Sequence, residues 1–199
     1  MTTRRTEPVK PSQRAKVLKA AMEVMAEVGP DRVRVQDIAA RAGMSPGHVM
    51  YYFGKRDRIL VDTLLQSEAD LVSARDRRIS SADGPREGLD RLVRLYLPSG
   101  ADDLRWKLWA QLVARPPQDA ETLRAYAAVI DSWGEALAGV VRDGVAAGVF
   151  ACDDPDELAY RSCRLMDGYA LEVLLGSPGR TRSWAVAAVV SALTRELEP

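Results

Sequence analysis

The sequence predicts an all-α protein of about nine helices, arranged as a small N-terminal group of three helices followed by a larger helical domain. Apolar residues recur at spacings of three and four along most of the chain, which is the period of one helix face. Glycine and proline residues interrupt this period between the predicted helices. With 47% apolar residues among 199, the chain can also bury a substantial core.

The first helix is predicted over residues 12–28, because its apolar positions share one face. Ser12 is a suitable N-cap, since a serine oxygen can accept a hydrogen bond from a free N–H of the first turn. The pair Gly29-Pro30 ends the helix, because glycine tolerates the left-handed terminal conformation and proline cannot continue the helix.

Two short helices follow, one over residues 35–42 and one that starts after Ser45. Gly43 closes the first of them. Pro46 occupies the first turn of the second, where its missing N–H costs nothing. A long helix then begins at Asp57.

The rest of the chain is predicted as five more helices by the same period and the same breaks. The fourth of these opens at Asp154, which is followed by Pro155 in the first helical position. The five helices are placed at residues 86–97, 102–115, 119–147, 155–175 and 180–197.

Composition excludes several classes of protein. No apolar run approaches the roughly 18 residues of a membrane span. The first residues lack the apolar segment of a secretory signal. Two cysteines, Cys152 and Cys163, are too few for a disulfide framework, so we expect a cytoplasmic location.

The single histidine, His48, argues against an enzyme. A zinc site with paired histidines cannot form, and a serine or cysteine nucleophile would have only His48 as its base. The glycine-rich phosphate-binding motifs do not occur. We therefore expect no catalytic residue, no metal and no cofactor.

Charge is unevenly distributed along a chain that is neutral as a whole. Residues 1–60 contain 12 lysines and arginines against 6 aspartates and glutamates, whereas the remainder contains 16 against 22. A basic head on an acidic body is typical of proteins that bind a polyanion. Solvated helices also carry such imbalances by chance, so a motif is needed beside the charge.

The two short helices on either side of Gly43 have the pattern of a helix-turn-helix. The turn needs glycine, because its sharp angle demands a backbone conformation that residues with side chains avoid. A small core would fix the angle of the helices, and we assign to it Ile38, Ala39, Ala42, Val49 and Phe53. This spacing alone is not diagnostic of DNA binding.

Two consecutive stretches carry a more specific pattern. Residues 35–47 read VQDIAARAGMSPG and residues 48–60 read HVMYYFGKRDRIL. Over about residues 12–65 the chain resembles the N-terminal DNA-binding domain of TetR-family regulators. The resemblance implies a homodimer that binds a palindromic operator in double-stranded DNA, usually as a repressor, and that leaves it when a small molecule binds the second domain.

The resemblance also implies a division of the chain into three parts. These are a flexible basic arm (1–11), a helix-turn-helix DNA-binding domain (12–56) and a ligand-binding and dimerisation domain (57–199).

A helix-turn-helix places its second helix in the major groove, with the N-terminal residues of that helix against base edges. The predicted base-proximal residues are Gln36, Ser45, Pro46, Gly47 and His48. Others would bind phosphates, which position the domain without reading sequence. These are Arg34, Tyr51, Tyr52, Lys55 and Arg56.

Some of these assignments have alternatives. Arg34 stands where the family often has a capping Ser or Thr, so this cap is missing or comes from elsewhere. His48 fits an ordinary solvent-exposed position, and Tyr52 fits packing against the first helix. Met50 replaces a frequent Tyr, and Arg56 replaces the more usual Lys.

The C-terminal part resembles the BetI-type branch of the same family. The matching residues are Trp106-Lys107-Leu108-Trp109-Ala110, Trp133, Gly148-Val149-Phe150 and Leu165-Met166-Asp167-Gly168-Tyr169. That branch includes a choline-responsive regulator, but membership of a branch does not identify the ligand.

Aromatic residues at helical spacing in this part line either a ligand pocket or the plain core. In a pocket, the nearby Asp131, Asp167 or Glu172 would favour an organic cation, held by charge and by cation–π attraction. The candidate ligand-binding residues are Trp106, Trp109, Tyr126, Trp133, Met166 and Tyr169.

The last two helices are the candidates for a dimer interface. Their apolar faces are wider than one core needs, and small residues such as Ala187 and Ala188 allow close helix approach. A monomer that buries these faces internally is the alternative. The candidate interface residues are Leu158, Leu165, Trp184, Val189, Val190 and Leu193.

Two classes of function follow from these patterns. The favoured one is a ligand-responsive DNA-binding transcriptional regulator. The alternative, suggested by the departures at Arg34 and Met50, is a helical small-molecule-binding or protein-interaction protein without specific DNA binding. Salt dependence separates the two, because each phosphate contact displaces condensed counterions.

Overall fold

The computed structural model describes residues 12–116 and 119–198, and over these residues the chain forms α-helices and no β-strand. The all-α prediction is confirmed. The predicted basic arm (1–11) lies outside the described residues. Within the described part, no helix has both the length and the apolar character that a membrane crossing requires.

Nine helices account for the described chain, and their bounds agree with the predicted ones to within two residues. The first four are α1 (Gln13–Val28), α2 (Val35–Ala42), α3 (Pro46–Phe53) and α4 (Arg56–Ser80). The other five are α5 (Pro85–Tyr96), α6 (Leu104–Ala114), α7 (Ala120–Ala146), α8 (Pro155–Leu174) and α9 (Arg182–Leu197).

Side-chain oxygens cap the starts of several helices, as the sequence predicts. Ser12 accepts a hydrogen bond from the N–H of Ala15 at 3.2 Å, and Asp154 accepts one from the N–H of Glu157 at 3.0 Å. Each such bond satisfies an N–H that has no partner inside its helix.

The chain folds as two compact units whose boundary falls inside α4, after Thr63. We call the first unit the head and the second, from Leu64 onward, the body. The head has its own small core, which includes Val17, Ala21, Met25, Ile38, Val49 and Ile59. The body has a larger core drawn mainly from α5, α7, α8 and α9, which includes Leu92, Leu137, Val141, Met166, Val189 and Leu193.

The turn that follows α7 is tightly packed. The Phe150 ring lies on Gly144, where a Cβ atom would come within 1.9 Å of the ring Cδ2. The next residue, Ala151, donates its N–H to the carbonyl of Leu197 at 3.0 Å, which ties this turn to the end of α9.

Candidate functional site

The turn that joins α2 to α3 is a Schellman motif. Gly43 has φ 67° and ψ 37°, the left-handed conformation. The N–H of Met44 donates to the carbonyl of Ala39 at 2.9 Å, and the N–H of Gly43 donates to that of Ala40 at 3.2 Å. These bonds satisfy the last carbonyls of α2 and set the direction in which α3 leaves the turn.

The N-terminal turn of α3 is open to solvent. Ser45 caps the helix by accepting the N–H of His48 at 3.2 Å. Val49 and Phe53 turn inward onto Ile38 and Ala39 in the core. The opposite face therefore presents the predicted base-proximal residues of this helix, all of them exposed: Ser45, Pro46, Gly47 and His48.

The first turn of α2 lies open as well. Arg34 is exposed at the N-cap position and makes no side-chain capping bond, so the cap that the family often has here is absent. Gln36, the second residue of the same helix, is exposed. Both side chains are free to extend away from the head.

The aromatic residues of α3 form a small exposed cluster. Tyr51 is 82% exposed, which is unusual for a large ring and leaves its hydroxyl accessible. Tyr52 is half-buried, with its ring centroid 5.2 Å from that of His48 and 5.6 Å from that of Tyr51. Lys55 follows in an exposed position.

Arg56 requires a correction to the predicted set. Its Nε donates to the carbonyl of Val33 at 2.9 Å, and its Nη2 donates to those of Pro30 and Asp31. The guanidinium is thus directed into the loop that links α1 to α2. Because these carbonyls already take its donors, we assign Arg56 to positioning that loop and not to a phosphate.

Arg14, another cationic residue of the head, is exposed but is also bonded within the head. It donates to Asp62, which is buried, and its guanidinium lies 4.9 Å from the centroid of the Phe53 ring. Arg58 bonds the same carboxylate at 2.9 Å. Charge alone therefore overstates how many basic groups of the head face outward.

The polar centre of the body is Glu68, a residue of α4 that is 0% exposed. Its Oε1 accepts the indole N–H of Trp109 at 2.7 Å and a guanidinium N–H of Arg105 at 3.2 Å. Its Oε2 accepts the indole N–H of Trp133 at 3.3 Å. We call these four residues the Glu68 site. A fully buried carboxylate is costly unless it is paired and hydrogen-bonded, and here it is both.

Other predicted aromatic residues extend this site. Tyr96 makes edge contacts with Trp106 and Trp133, at centroid distances of 5.9 and 5.2 Å. The Trp109 ring lies 5.5 Å from that of Tyr126. The aromatic residues of α5, α6 and α7 therefore form one connected cluster around the buried carboxylate.

Two predicted ligand-binding residues lie apart from these ring contacts. Met166 is buried in the body core. The Tyr169 ring pairs with Trp184 of α9, at a centroid distance of 5.0 Å. The structure assigns both to packing of α8.

Guanidinium groups already lie on two of the indole rings. The Arg105 guanidinium carbon is 5.3 Å from the centroid of Trp106, and that of Arg75 is 5.0 Å from the centroid of Trp133. Arg75 is buried and donates to the carbonyl of Ser132 at 2.8 Å. These two indole rings thus already hold cationic side chains of the same chain by cation–π attraction.

Of the three acidic residues that the sequence suggested beside the aromatic cluster, Asp131 and Glu172 lie elsewhere and Asp167 contacts the cluster through Tyr96. Asp131 is exposed, and Glu172 pairs with Arg180 at 3.2 Å. Asp167 accepts the hydroxyl proton of Tyr96 at 2.6 Å. Burial and the Asp167 carboxylate raise the pKa of Tyr96, so this phenol stays a neutral donor.

Sequence reasoning missed Glu68, although a signal was present. Leu64, Glu68 and Leu71 follow one another at spacings of four and three, which places the glutamate on the apolar face of α4. A charged residue on such a face needs a buried partner.

The predicted dimer residues divide into two groups. Leu158, Val189 and Leu193 are buried inside their own chain, which removes them from any contact surface and corrects that prediction. They fill the core because α8 and α9 pack on α5 and α7 in the body. Leu165 is exposed, and Trp184 and Val190 are partly so.

No group of three or more histidine, cysteine, aspartate or glutamate residues in the described part of the chain is arranged to hold a metal ion.

The fold and the two sites define the class of protein: a helix-turn-helix head joined to a separate helical body with a buried polar centre. Comparison with known families identifies it further. Residues 17–63 match the bacterial regulatory proteins of the tetR family, and residues 85–198 match the C-terminal domain of BetI-type transcriptional repressors. The chain belongs to the TetR family, and its C-terminal domain is of the BetI type.

Curated relatives carry the same family description. The HTH-type transcriptional regulator BetI of Burkholderia thailandensis is 28% identical over 71% of this chain and 78% of its own length. BetI 2 of Chromohalobacter salexigens is 35% identical over 54% of this chain and 56% of its length. BetI of Stenotrophomonas maltophilia is 34% identical over 43% of this chain and 44% of its own length. The chain spans about half the length of the last two relatives.

Solved structures share the fold over nearly the whole chain. A regulator from Saccharomonospora viridis in complex with choline superposes with a TM-score of 0.80 at 28% identity, covering 94% of this chain and 98% of that one. FadR of Bacillus subtilis, in complex with stearoyl-CoA, superposes with a TM-score of 0.70 at 19% identity, covering 92% of this chain and 98% of that one. The second likeness shows the fold alone.

Proposed function

We propose that this protein is a transcriptional regulator that binds a palindromic operator as a homodimer, represses transcription there and is released by a small-molecule effector. The observation that carries the proposal is the exposed N-terminal turn of α3. It lies on a head whose Schellman turn and buried core hold the two helices of the motif at a fixed angle. Operator DNA places the site of action in the cytoplasm.

Base contact is assigned to the exposed first turn of α3 and to Gln36. Gln36 is the one candidate here with a side-chain amide, which can pair with adenine through two hydrogen bonds. Gly47 acts by its small size, since a Cβ atom there would meet nothing within 4 Å in the protein but would face the bases. The residues assigned to base edges are Gln36, Ser45, Pro46, Gly47 and His48.

Phosphate contact is assigned to exposed donors on either side of that surface. Tyr51 offers a hydroxyl, and Arg34 and Lys55 offer charge. Tyr52 is only half-buried and extends the same row. Such contacts fix the register of the head on DNA without reading its sequence.

Effector binding is assigned to the Glu68 site, with an organic cation as the ligand class. A buried carboxylate among indole rings attracts cations through charge and through the ring faces. The regulator from Saccharomonospora viridis, which shares this fold, was solved with choline, a quaternary ammonium compound. Glu68 belongs to α4, the helix that begins in the head, so a change at this site has a direct covalent route to the head.

Dimerisation is assigned to the solvent-facing sides of α8 and α9. Tyr160, Leu171 and Leu175 are exposed on one side of α8 and just beyond its end, and Leu165 is exposed elsewhere on the same helix. Trp184 and Val190 are partly exposed on α9. Large apolar groups in such positions favour an isologous interface, which would match the symmetry of a palindrome.

The test is selection of bound duplexes from a random DNA pool, followed by affinity measurements on the enriched sequence over a range of salt. Wild type should enrich one palindrome, and its affinity should fall steeply as salt rises. Gly47→Ala should weaken operator binding by about tenfold, the effect of one lost base contact, without loss of thermal stability. The matched control is Gly139→Ala, an equally open glycine in α7, which should bind like wild type.

Absence of enrichment by the wild type at low salt would reject the regulator and favour a helical binding protein without specific DNA recognition. Release is tested by adding choline chloride to the protein–operator complex, with sodium chloride at equal ionic strength as control. Release by choline alone supports a cationic effector. Equal behaviour of the two salts would reject that ligand class and leave the operator-binding function standing.

A further inference from the structure

The guanidinium of Arg105 lies 3.2 Å from the Glu68 carboxylate, the group assigned above to binding an organic cation. We propose that Arg105 is a built-in competitor of the effector: a quaternary ammonium ligand binds by displacing Arg105 from Glu68. This inference rests on the proposed function of the Glu68 site and specifies how binding there is regulated.

The charges of Glu68 and Arg105 balance each other. Glu68 is fully buried, and Arg105 is the cation that pairs with it, at 3.2 Å. An unpaired carboxylate in this position would be strongly unfavourable. The arginine is therefore needed when the ligand is absent, and it becomes redundant when another cation arrives.

Arg105 has a second anchor that does not depend on Glu68. Its Nη2 donates to the carbonyl of Tyr96 at 2.5 Å. Tyr96 is the last residue of α5, and carbonyls at a helix C-terminus attract cations. The Arg105 side chain also retains 15% exposure, which gives it a path toward solvent. Its guanidinium can leave Glu68 and still have a partner, so neither charge is stranded.

The remaining contacts of Glu68 determine the kind of cation that fits. Trp109 and Trp133 donate their indole N–H groups to the two carboxylate oxygens, and these bonds persist when Arg105 moves. An incoming cation therefore needs charge and apolar contact and has no need to donate hydrogen bonds. A quaternary ammonium group meets these requirements.

Competition of this kind raises the concentration at which the effector acts. The apparent dissociation constant equals the intrinsic one divided by the fraction of molecules in which Arg105 has left Glu68. A fraction of about one in ten would weaken binding tenfold. Removing the Arg105 charge should therefore tighten effector binding by the same factor.

The experiment is calorimetric titration of the full-length protein with tetramethylammonium chloride, against sodium chloride at equal ionic strength. Arg105→Gln should bind the cation about tenfold more tightly than wild type. Glu68→Gln should lose binding. Arg142→Gln is the matched control, since Arg142 is an exposed arginine that pairs with Asp156 at 2.8 Å, and it should bind like wild type.

Binding by Arg105→Gln that is equal to or weaker than that of wild type would overturn the competition. Undiminished binding of tetramethylammonium by Glu68→Gln would overturn the assignment of the cation site to Glu68. Failure of wild type and every variant to bind at millimolar cation, with operator binding intact, would instead reject the cationic effector itself. Thermal melting verifies that each variant is folded. If Arg105→Gln does not fold, Arg105→Lys takes its place: an ammonium lacks the fork that spans Tyr96 and Glu68, so about threefold tighter binding is expected, and unchanged binding overturns the proposal.

Discussion

The head and the body use polar side chains in opposite ways. In the head, the candidate contact residues of α3 are exposed around a small apolar core, and Tyr51 is largely in solvent. In the body, the decisive polar group is Glu68, which is fully buried and bonded by Arg105 and two indoles. The candidate contact residues of the head are exposed to solvent, whereas the donors around Glu68 are bonded to its carboxylate.

This contrast shows what burial reports about each kind of site. Basic residues of the head such as Arg14 and Arg56 are bonded to other groups of the head, so charge by itself does not identify the residues that contact DNA. In the body, a buried charged group is unfavourable without a partner. A buried charged residue of the body therefore marks the place where loss of a charge or of its partner would be most costly.

The two units can be followed separately. All four tryptophans, Trp106, Trp109, Trp133 and Trp184, belong to the body, so their fluorescence reports its unfolding alone. Hydrogen exchange of residues 35–53 reports the head.

Glu68→Ala should have the largest effect on the body. It leaves the indole N–H groups of Trp109 and Trp133 without their acceptor and Arg105 with only the carbonyls at the end of α5, at an expected cost of about 3–5 kcal/mol in the free energy of unfolding. Denaturant titration followed by tryptophan fluorescence measures this. Glu135→Ala removes an exposed carboxylate from α7 and should change stability by less than about 0.5 kcal/mol. Similar small losses for both variants would contradict the importance of the buried site.

Gly144→Ala should destabilise the body by about 3 kcal/mol, because the new methyl group collides with the buried Phe150 ring. Gly139→Ala in the same helix meets nothing within 4 Å and should stabilise the body by about 0.5–1 kcal/mol. Differential scanning calorimetry of the two variants distinguishes these signs. A gain in both would mean that the Gly144–Phe150 contact is not tight.

Stability of the body should fall at alkaline pH. Burial raises the pKa of the Cys163 thiol to about 11, above its usual value near 9. The contribution of this thiol is complete below pH 9 and is lost as pH rises through about 11, a decrease of about 2–3 kcal/mol. The pKa of Tyr96 is raised by burial and shifts stability in the same direction.

Unfolding measured between pH 7 and pH 11 checks this expectation. Cys163→Ala should flatten the alkaline fall, whereas Cys152→Ala, at a partly exposed cysteine, should keep it. An identical pH profile for the two variants would disprove the assignment to Cys163.

Arg34→Ser should have the smallest effect, and it lies in the head. Serine supplies the missing N-cap of α2 and should stabilise that helix by about 0.5–1 kcal/mol, measured as slower hydrogen exchange. The same change should reduce the slope of operator affinity against salt by about one counterion if Arg34 contacts a phosphate. An unchanged slope would remove Arg34 from the DNA contacts and leave its capping position as the whole effect.

Much of the fold was predictable because its signals are local. Ser45 caps α3, Gly43 closes α2 and Asp154 opens α8, and each of these choices depends on a few neighbouring residues. The exposed face of α3 follows from the same period, since Val49 and Phe53 must face inward. Helix bounds were therefore found to within two residues.

Partners that are distant along the chain could not be predicted in the same way. Arg56 has the charge of a phosphate ligand, yet its guanidinium reaches carbonyls 23 to 26 residues earlier. Leu158, Val189 and Leu193 have the apolar character of an interface, yet they face the core of their own chain. Periodicity shows that a face is apolar, but it does not show which surface covers it.

The sequence by itself determined the helices, their ends, the helix-turn-helix and the family, because periodicity, caps and motifs are properties of neighbouring residues. Only the tertiary structure decided which charges turn inward. It brought Glu68 of α4 together with Arg105 and Trp109 of α6 and Trp133 of α7, residues up to 65 positions apart. The physical reason is that burial of a charge depends on every element packed around it, and no local pattern contains that information.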